Sequence, residues 1–249
     1  MSTMTLERLR EMNLSQMAQR MEEMSQDPNS HNLAWPDALA SLVDAEYDHR
    51  ASRRLQELLR RAKLKYPSAC LESLEYDPQR GLSKELIREL SCGRWIQQAH
   101  NVLISGPTGT GKSYLACALA ATACRLGMKT SYVRVSLFLD AMITERTLGS
   151  YPKALEKLHK ARLLILDDLG ADILNREQRR VLFDVIEERS LEGSVVVTSQ
   201  VPIEQWSEVI GEAGAAEAIC DRLLENCHRI DLKGTSRRRL KSGTIRPGD

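Results

Sequence analysis

The residues Gly106-Pro107-Thr108-Gly109-Thr110-Gly111-Lys112-Ser113 carry the spacing G-x-x-x-x-G-K-[ST]. That spacing suits polyphosphate chemistry. The glycines let the backbone curl so that its N–H groups converge on phosphate oxygens. Lys112 brings an ammonium to the β- and γ-phosphates, and the Ser113 hydroxyl is a Mg²⁺ ligand. A second group, Asp167-Asp168, closes the apolar run Leu163-Leu-Ile-Leu. Carboxylates at the C-terminal tip of a buried strand face the ligand crevice of an open α/β sheet. Asp167 is placed to orient Mg²⁺ and its waters, and Asp168 to polarise an attacking water. The plain alternative is a strand-to-turn boundary with two solvated acids. The phosphate loop upstream favours the functional reading, and the second acid argues for hydrolysis over passive binding. The expected ligands are a nucleoside triphosphate and Mg²⁺.

Two further residues stay open at this level. Gln200 follows Val195-Val-Val-Thr198-Ser199. If that strand lies between the loop's strand and the acids' strand, Gln200 can orient water and sense the γ-phosphate. A satisfied loop amide is an equal reading. Arg222 sits in Cys220-Asp221-Arg222-Leu223-Leu224, and taken alone it reads as a surface arginine.

Strand and helix patterns alternate from Asn101 onward, which predicts an α/β fold with a five-stranded parallel sheet and helices on both faces. The strands are expected at 102–105, 130–135, 163–167, 194–199 and about 229–232. The clearest helix is 175–192, with Val181, Leu182, Val185 and Ile186 turned inward. Tyr114–Ala123 is the helix that follows the loop, and its N-terminus adds partial positive charge at the phosphates.

Residues 1–67 read as an all-helical N-terminal domain and 68–249 as the nucleotide-binding domain. Leu6, Leu9, Met12, Met17 and Met21 have the spacing of one helix that starts near Thr5. A second helix is expected from Trp35 through Ala45, and a third through Leu55 and Leu59 up to Pro67. Asp77-Pro-Gln-Arg-Gly predicts a turn, and Ser83 caps a helix running to Ala99.

Charge is unevenly spread. The chain has 249 residues and a net charge of only +1, so overall charge selects no partner. Arg50, Arg53, Arg54, Arg60, Arg61, Lys63 and Lys65, however, face Glu57 alone within residues 50–65. A solvated helix face is one reading; the one-sidedness favours a surface that meets nucleic-acid phosphates. Residues 229–249 hold seven bases against two acids. Hydrophobic residues make up 42% and charged residues 28%, as in a soluble globular protein. No apolar run reaches membrane-spanning length, and residues 1–26 hold no apolar signal core, so a cytoplasmic protein with no membrane partner is expected. Six cysteines without a C-x-x-C pair read as buried thiols, with Cys117/Cys124 and Cys220/Cys227 each placed on a helix face.

The order Gly-Pro-Thr-Gly-Thr-Gly-Lys-Ser, Leu-Ile-Leu-Asp-Asp-Leu-Gly, Val-Thr-Ser-Gln-Val-Pro…Trp-Ser-Glu-Val and Asp-Arg-Leu-Leu-Glu-Asn-Cys-His resembles the IstB-like ATPases, helpers of insertion-sequence transposition. Those belong to the AAA+ superfamily, close to the helicase loader DnaC and the initiator DnaA. The resemblance implies a Walker A site at Gly106–Ser113, continued by Tyr114, and a Walker B pair at Asp167 and Asp168. It implies sensor 1 at Gln200, where the family commonly has Asn, and an arginine finger at Arg222 acting on a neighbour's ATP. Arg238 matches the arginine of a Gly-x-Ser-x-Arg segment, a sensor 2-like position that meets the nucleotide. The implied function is an ATP-dependent homo-oligomer on double-stranded DNA that binds without sequence reading and serves an IstA-type transposase. The alternative is a DnaC-like helicase loader acting on single strands. A small-molecule phosphotransferase would need an acceptor pocket and lid, for which no residues stand out.

Overall fold

The computed structural model describes residues 3–28, 30, 33–190, 192–211 and 213–236. The chain divides into two compact units, Met1–Glu57 and Leu58–Asp249.

The first unit is helical. Helix α1 (Thr3–Glu11) and helix α2 (Ser15–Gln26) replace the single helix that the apolar spacing suggests. Asn13 adopts φ 58°, and Leu14 N donates back to Leu9 O at 2.8 Å. This is a left-handed C-terminal stop, which Asn tolerates better than most residues. Thr5 therefore lies inside α1 and caps nothing. Helix α3 runs unbroken over Trp35–Ala62, where two helices were expected. No Gly or Pro interrupts residues 37–62, and Glu46 and Arg50 pair at 2.7 Å one turn apart, so nothing breaks the ladder. It ends at Ala62, ahead of Pro67, because Lys63 turns to φ 53°.

Leu14 precedes α2 without a side-chain cap. The cap comes from α3: Glu46 accepts the amides of Gln16 at 3.0 Å and Met17 at 3.4 Å. The hydrogen bond from Arg50 holds the Glu46 carboxyl below the ordinary Glu range, with the two amides adding to it against the opposing effect of burial. We expect Glu46→Ala to cost α2 about 1 kcal/mol, read as about fivefold faster hydrogen exchange at Gln16 and Met17. Because the folded pKa is depressed, the wild-type protection is present above the unfolded value and is lost as pH falls through the folded one. Unchanged exchange at both amides in the variant would refute the cap.

Past the end of α3, the second unit continues with turns. Pro78–Arg80 forms a 3₁₀ turn, as expected. Helix α4 (Lys84–Ser91) is capped by the Ser83 hydroxyl, but Gly93 at φ 71° separates it from the short α5 (Arg94–Gln97). The remaining elements alternate: β1 (Asn101–Ser105), α6 (Lys112–Arg125), β2 (Thr130–Arg134), α7 (Val135–Thr147), α8 (Tyr151–His159), β3 (Leu163–Leu169), α9 (Arg176–Arg189), β4 (Ser194–Ser199), α10 (Trp206–Ile210), α11 (Ala213–Leu224) and β5 (Cys227–Asp231). All pairings are parallel, in the order β2-β3-β4-β1-β5. The three apolar strands take the middle and are almost wholly buried, while β2 and β5 are half-exposed edges. Leu103, Leu164, Leu166, Val195 and Val197 share one core with α7, α9 and α11. Strand alternation turns Val102, Ile104, Ile165 and Val196 to the opposite face, where the buried Leu115 and Leu119 of α6 lie. Val181, Leu182, Val185 and Ile186 are buried as expected.

Candidate nucleotide site

Parallel strands bring their C-terminal tips to one end of the sheet, and β1, β3 and β4 are neighbours there. The phosphate loop leaves β1, the acids end β3 and Gln200 follows β4. The loop's backbone is curled by glycines at positive φ. At two of them the reason extends beyond the curl. A Cβ at Gly106 would lie 2.1 Å from the Leu232 carbonyl oxygen, and one at Gly109 would lie 2.1 Å from Ser236 Oγ. The segment leaving β5 therefore packs directly onto the loop. Arg80 ties the same parts together, donating to Thr110 O at 3.1 Å and to Lys233 O at 3.5 Å.

Lys112 is buried at the start of α6, and its Nζ donates to the carbonyls of Gly106 at 2.6 Å and Pro107 at 3.0 Å. Asp167 is fully buried. Thr198 donates to its Oδ1 at 2.6 Å, and Tyr132 and Lys65 donate to Oδ2, Lys65 from 3.3 Å. Burial resists its ionisation, but the hydrogen bonds from Thr198, Tyr132 and Ser113 and the Lys65 charge outweigh that, and its pKa lies below the ordinary Asp value. Burial and the bond to Asp167 push the Tyr132 hydroxyl far up, so it acts as a donor at neutral pH.

Adjacent strand residues normally face opposite sides of a sheet. Here Leu166 pairs with Val197 but Leu169 pairs with Ser199, so β3 carries one extra residue, a bulge. Asp168 sits in it at φ 70°. The bulge lets Asp168 line the cleft of the phosphate loop, while Asp167 stays buried beside it in the chain. Gln200 Nε2 donates to Asp168 Oδ1 at 3.2 Å, and Gln200 Oε1 accepts from Thr108 of the loop. The longer amide thus spans loop and acid. Arg134, at the tip of β2, reaches within 3.6 Å of Asp168 Oδ2.

These groups border a cleft of about 650 Å³ that holds the phosphate loop at one end and Tyr66, Leu74, Leu82 and Leu232 elsewhere on its wall. Apolar walls for a base with converging polar groups for phosphates are the usual make-up of a nucleotide pocket. Tyr114 lines it too; its ring packs on Tyr66 and its hydroxyl meets Ser73 Oγ at 2.6 Å. The Ser113 hydroxyl and the Asp167 carboxylate are a hard-oxygen donor pair in mutual contact. They fit Mg²⁺, which takes one or two protein oxygens beside those of phosphate and water.

The other expected residues lie apart. Arg222 on α11 is paired with Glu187 of α9, and its guanidinium lies 5.3 Å from the Phe183 ring centre. The Asn101 side chain donates to the carbonyls of Arg222 and Leu223. That places this end of α11 at the start of β1, roughly 13 Å along the strand from where the loop departs. Arg50, Arg53, Arg54, Arg60 and Arg61 are carried on α3, with Arg50 engaged by Glu46 and by Asn13 O. Lys63 and Lys65 fall beyond its end, and Lys65 reaches the nucleotide cleft. Arg238 and the basic residues 237–249 lie outside the described residues. Cys220 is on α11 but Cys227 begins β5, so they share no helix; Cys117 and Cys124 are buried, whereas Cys92 is exposed. Sequence reasoning missed Tyr132, Arg134, Thr198 and Arg80. Arg134 carried a usable signal, a basic residue closing a strand that parallels the acids. The others are ordinary residues until folded. Among the described residues no group of His, Cys, Asp and Glu forms a further metal cluster, and no helix is long and apolar enough to cross a membrane.

Residues 7–244 match the family described as IstB-like ATP binding protein. A putative insertion sequence ATP-binding protein of Sinorhizobium fredii is 40% identical over 94% of this chain and 96% of its own. The putative ATP-binding protein of insertion sequence IS21 from Pseudomonas aeruginosa is 26% identical over 95% of this chain and 90% of its own. Among solved structures, the DnaC helicase loader superposes with a TM-score of 0.57 at 18% identity, covering 68% of this chain and 99% of that one. AMPPCP-bound DnaA from Aquifex aeolicus gives 0.58 at 20% identity, over 74% of this chain and 57% of that one. At such identities the likeness is one of fold alone.

Proposed function

We propose that this chain, which belongs to the IstB-like ATP-binding protein family, hydrolyses ATP with Mg²⁺, assembles on duplex DNA without reading its sequence, and delivers that DNA to the transposase of its insertion sequence. The observation that carries the ATPase reading is the meeting of the phosphate loop, Asp167, Asp168 and Gln200 at one end of the sheet.

Lys112 and the loop amides hold the β- and γ-phosphates. Ser113 and Asp167 would hold Mg²⁺, which would supply charge neutralisation at the phosphoryl oxygens. Gln200 orients a water in line with the γ-phosphorus, and Asp168 accepts its proton as the water oxygen bonds to phosphorus and the bond to the ADP oxygen breaks. The finger is Arg222 of a neighbouring protomer, because a protomer's own Arg222 stands at the other end of its sheet. A finger supplied in this way makes a head-to-tail contact, which closes into rings or grows as open helices. Trp35, Leu39, Val43 and Tyr47, one turn apart along α3, are all exposed, which supports self-association.

The relatives' names supply the insertion-sequence context, and the basic residues on α3 support phosphate contacts with DNA. Two experiments test the reading. Phosphate release is measured with and without duplex DNA; absence of turnover in both would refute the ATPase. Replacing Arg53, Arg54, Arg60 and Arg61 by Ala should weaken ATP-dependent duplex binding and flatten its salt dependence. The log–log slope should shrink by about 0.9 for each DNA phosphate that is no longer neutralised. DNA-free ATP binding should stay intact. Unchanged affinity and slope would move the DNA path off α3.

A further inference from the structure

Lys65 belongs by sequence to a basic block, yet it is built into the nucleotide site. It lies three residues beyond the end of α3, in the short segment Lys63–Tyr66. That segment is anchored at several points. Leu64 is buried. The backbone of Lys65 and Tyr66 lies against the buried Cys117, one turn into α6 from Ser113. The Tyr66 ring packs on Tyr114, with centroids 5.9 Å apart. The Lys65 side chain starts from this fixed base, and its Nζ lies 3.3 Å from Asp167 Oδ2 while bordering the same cleft as the phosphate loop. Lys65 and Asp167 are 102 residues apart in the chain.

Two kinds of cation therefore have a claim on one carboxylate. Asp167 Oδ1 is engaged by Thr198, and Oδ2 by Tyr132 and Lys65. A Mg²⁺ held by Ser113 and Asp167 would stand a few ångströms from the ammonium, where like charges repel. Both cations attract the triphosphate as well. Lys65 accordingly acts in two opposite directions: its charge favours nucleotide in the absence of Mg²⁺, and it opposes Mg²⁺ at Asp167.

We propose that Lys65 is a resident counter-cation of the nucleotide site, a positioning residue that holds Asp167 in competition with Mg²⁺ and so sets the Mg²⁺ concentration at which nucleotide is bound. The inference rests on the Mg–ATP reading of the site. It is tested by titrating the full-length protein with a fluorescent, non-hydrolysable ATP analogue, in EDTA and over a series of Mg²⁺ concentrations. Lys65→Met keeps the aliphatic stem and removes the charge. The Lys65 side chain is more than one-third exposed, so solvent screens its charge, and the expected effects are about three- to fivefold. In Lys65→Met, affinity without Mg²⁺ should fall by that factor, and the Mg²⁺ concentration for half-maximal binding should fall too. Lys65→Arg should restore both toward wild type. A merely structural lesion would weaken binding in both conditions and raise the Mg²⁺ requirement, and that result overturns the proposal. So does an unchanged Mg²⁺ requirement in Lys65→Met. Failure of the wild-type protein to bind the analogue at any Mg²⁺ concentration would instead overturn the nucleotide-site reading, and this inference with it.

Discussion

Arg222→Ala should leave ATP binding by each protomer near the wild-type level and lower turnover by about 10³-fold or more, the usual weight of an arginine finger. The geometry behind this expectation is the distance of Arg222 from its own protomer's loop, together with its partial exposure. Asn101 fastens the carbonyls of Arg222 and Leu223 to the start of β1, away from the loop that follows Ser105. The guanidinium is held by Glu187 and Phe183 and keeps partial exposure, at 30% of the side chain. It is oriented yet within reach of another molecule. Mixing Arg222→Ala protein with Lys112→Ala protein, each inactive alone, should restore part of the activity. In the mixture an intact phosphate loop from the first meets an intact arginine from the second. If Arg222→Ala retained more than about one-tenth of wild-type turnover, the transition-state charge would not come from this residue. Lack of recovery in a mixture shown to co-assemble would place any effect of Arg222 within its own protomer.

Asp168→Asn should lower turnover by about 10²- to 10⁴-fold, the range for loss of a general base, while nucleotide affinity stays within a few-fold of wild type. The choice of Asn matters here. Asp168 occupies a bulge at φ 70°, a conformation that Asn tolerates as Asp does. The backbone N–H of Asp168 still donates to Thr198 Oγ1, and an amide can still accept from Gln200 Nε2. The substitution therefore removes charge and proton affinity and keeps the shape. Pre-steady-state phosphate release separates the effect from binding. A wild-type rate in Asp168→Asn would exclude the second acid as the base and leave water activation to other groups.

The parts of this protein that were legible in the chain are those whose physics is local. The loop Gly106–Ser113 is eight contiguous residues, and its curl and the helix that follows depend on neighbours in sequence. The central strands announce themselves as short aliphatic runs because both of their faces are buried. Asp167 and Asp168 could be placed because a buried strand ends where charge begins. Family resemblance implies a role for Arg222 that its own surroundings in sequence do not carry. Local cues misled where a backbone stop outweighed spacing. Asn13 divides α1 from α2 although Leu9 and Met17 keep helical step, and α3 continues through a polar stretch because nothing in it breaks a helix.

Which strand tips meet is a matter of long-range packing, because strand order is set by burial between distant segments rather than by adjacent residues. Only with β4 seated between β1 and β3 does Gln200 bridge Thr108 and Asp168. The bulge that turns Asp168 into the cleft arises from pairing with β4 and has no sequence marker. The cap on α2 comes from Glu46, about 30 residues away. Lys65 shows the difference most plainly. Composition groups it with the arginines of α3, whereas the fold carries it across 102 residues of chain to a buried carboxylate. A phosphate-binding α/β protein with two acids at a strand end follows from the order of residues alone. The charges those acids face follow from how distant segments pack.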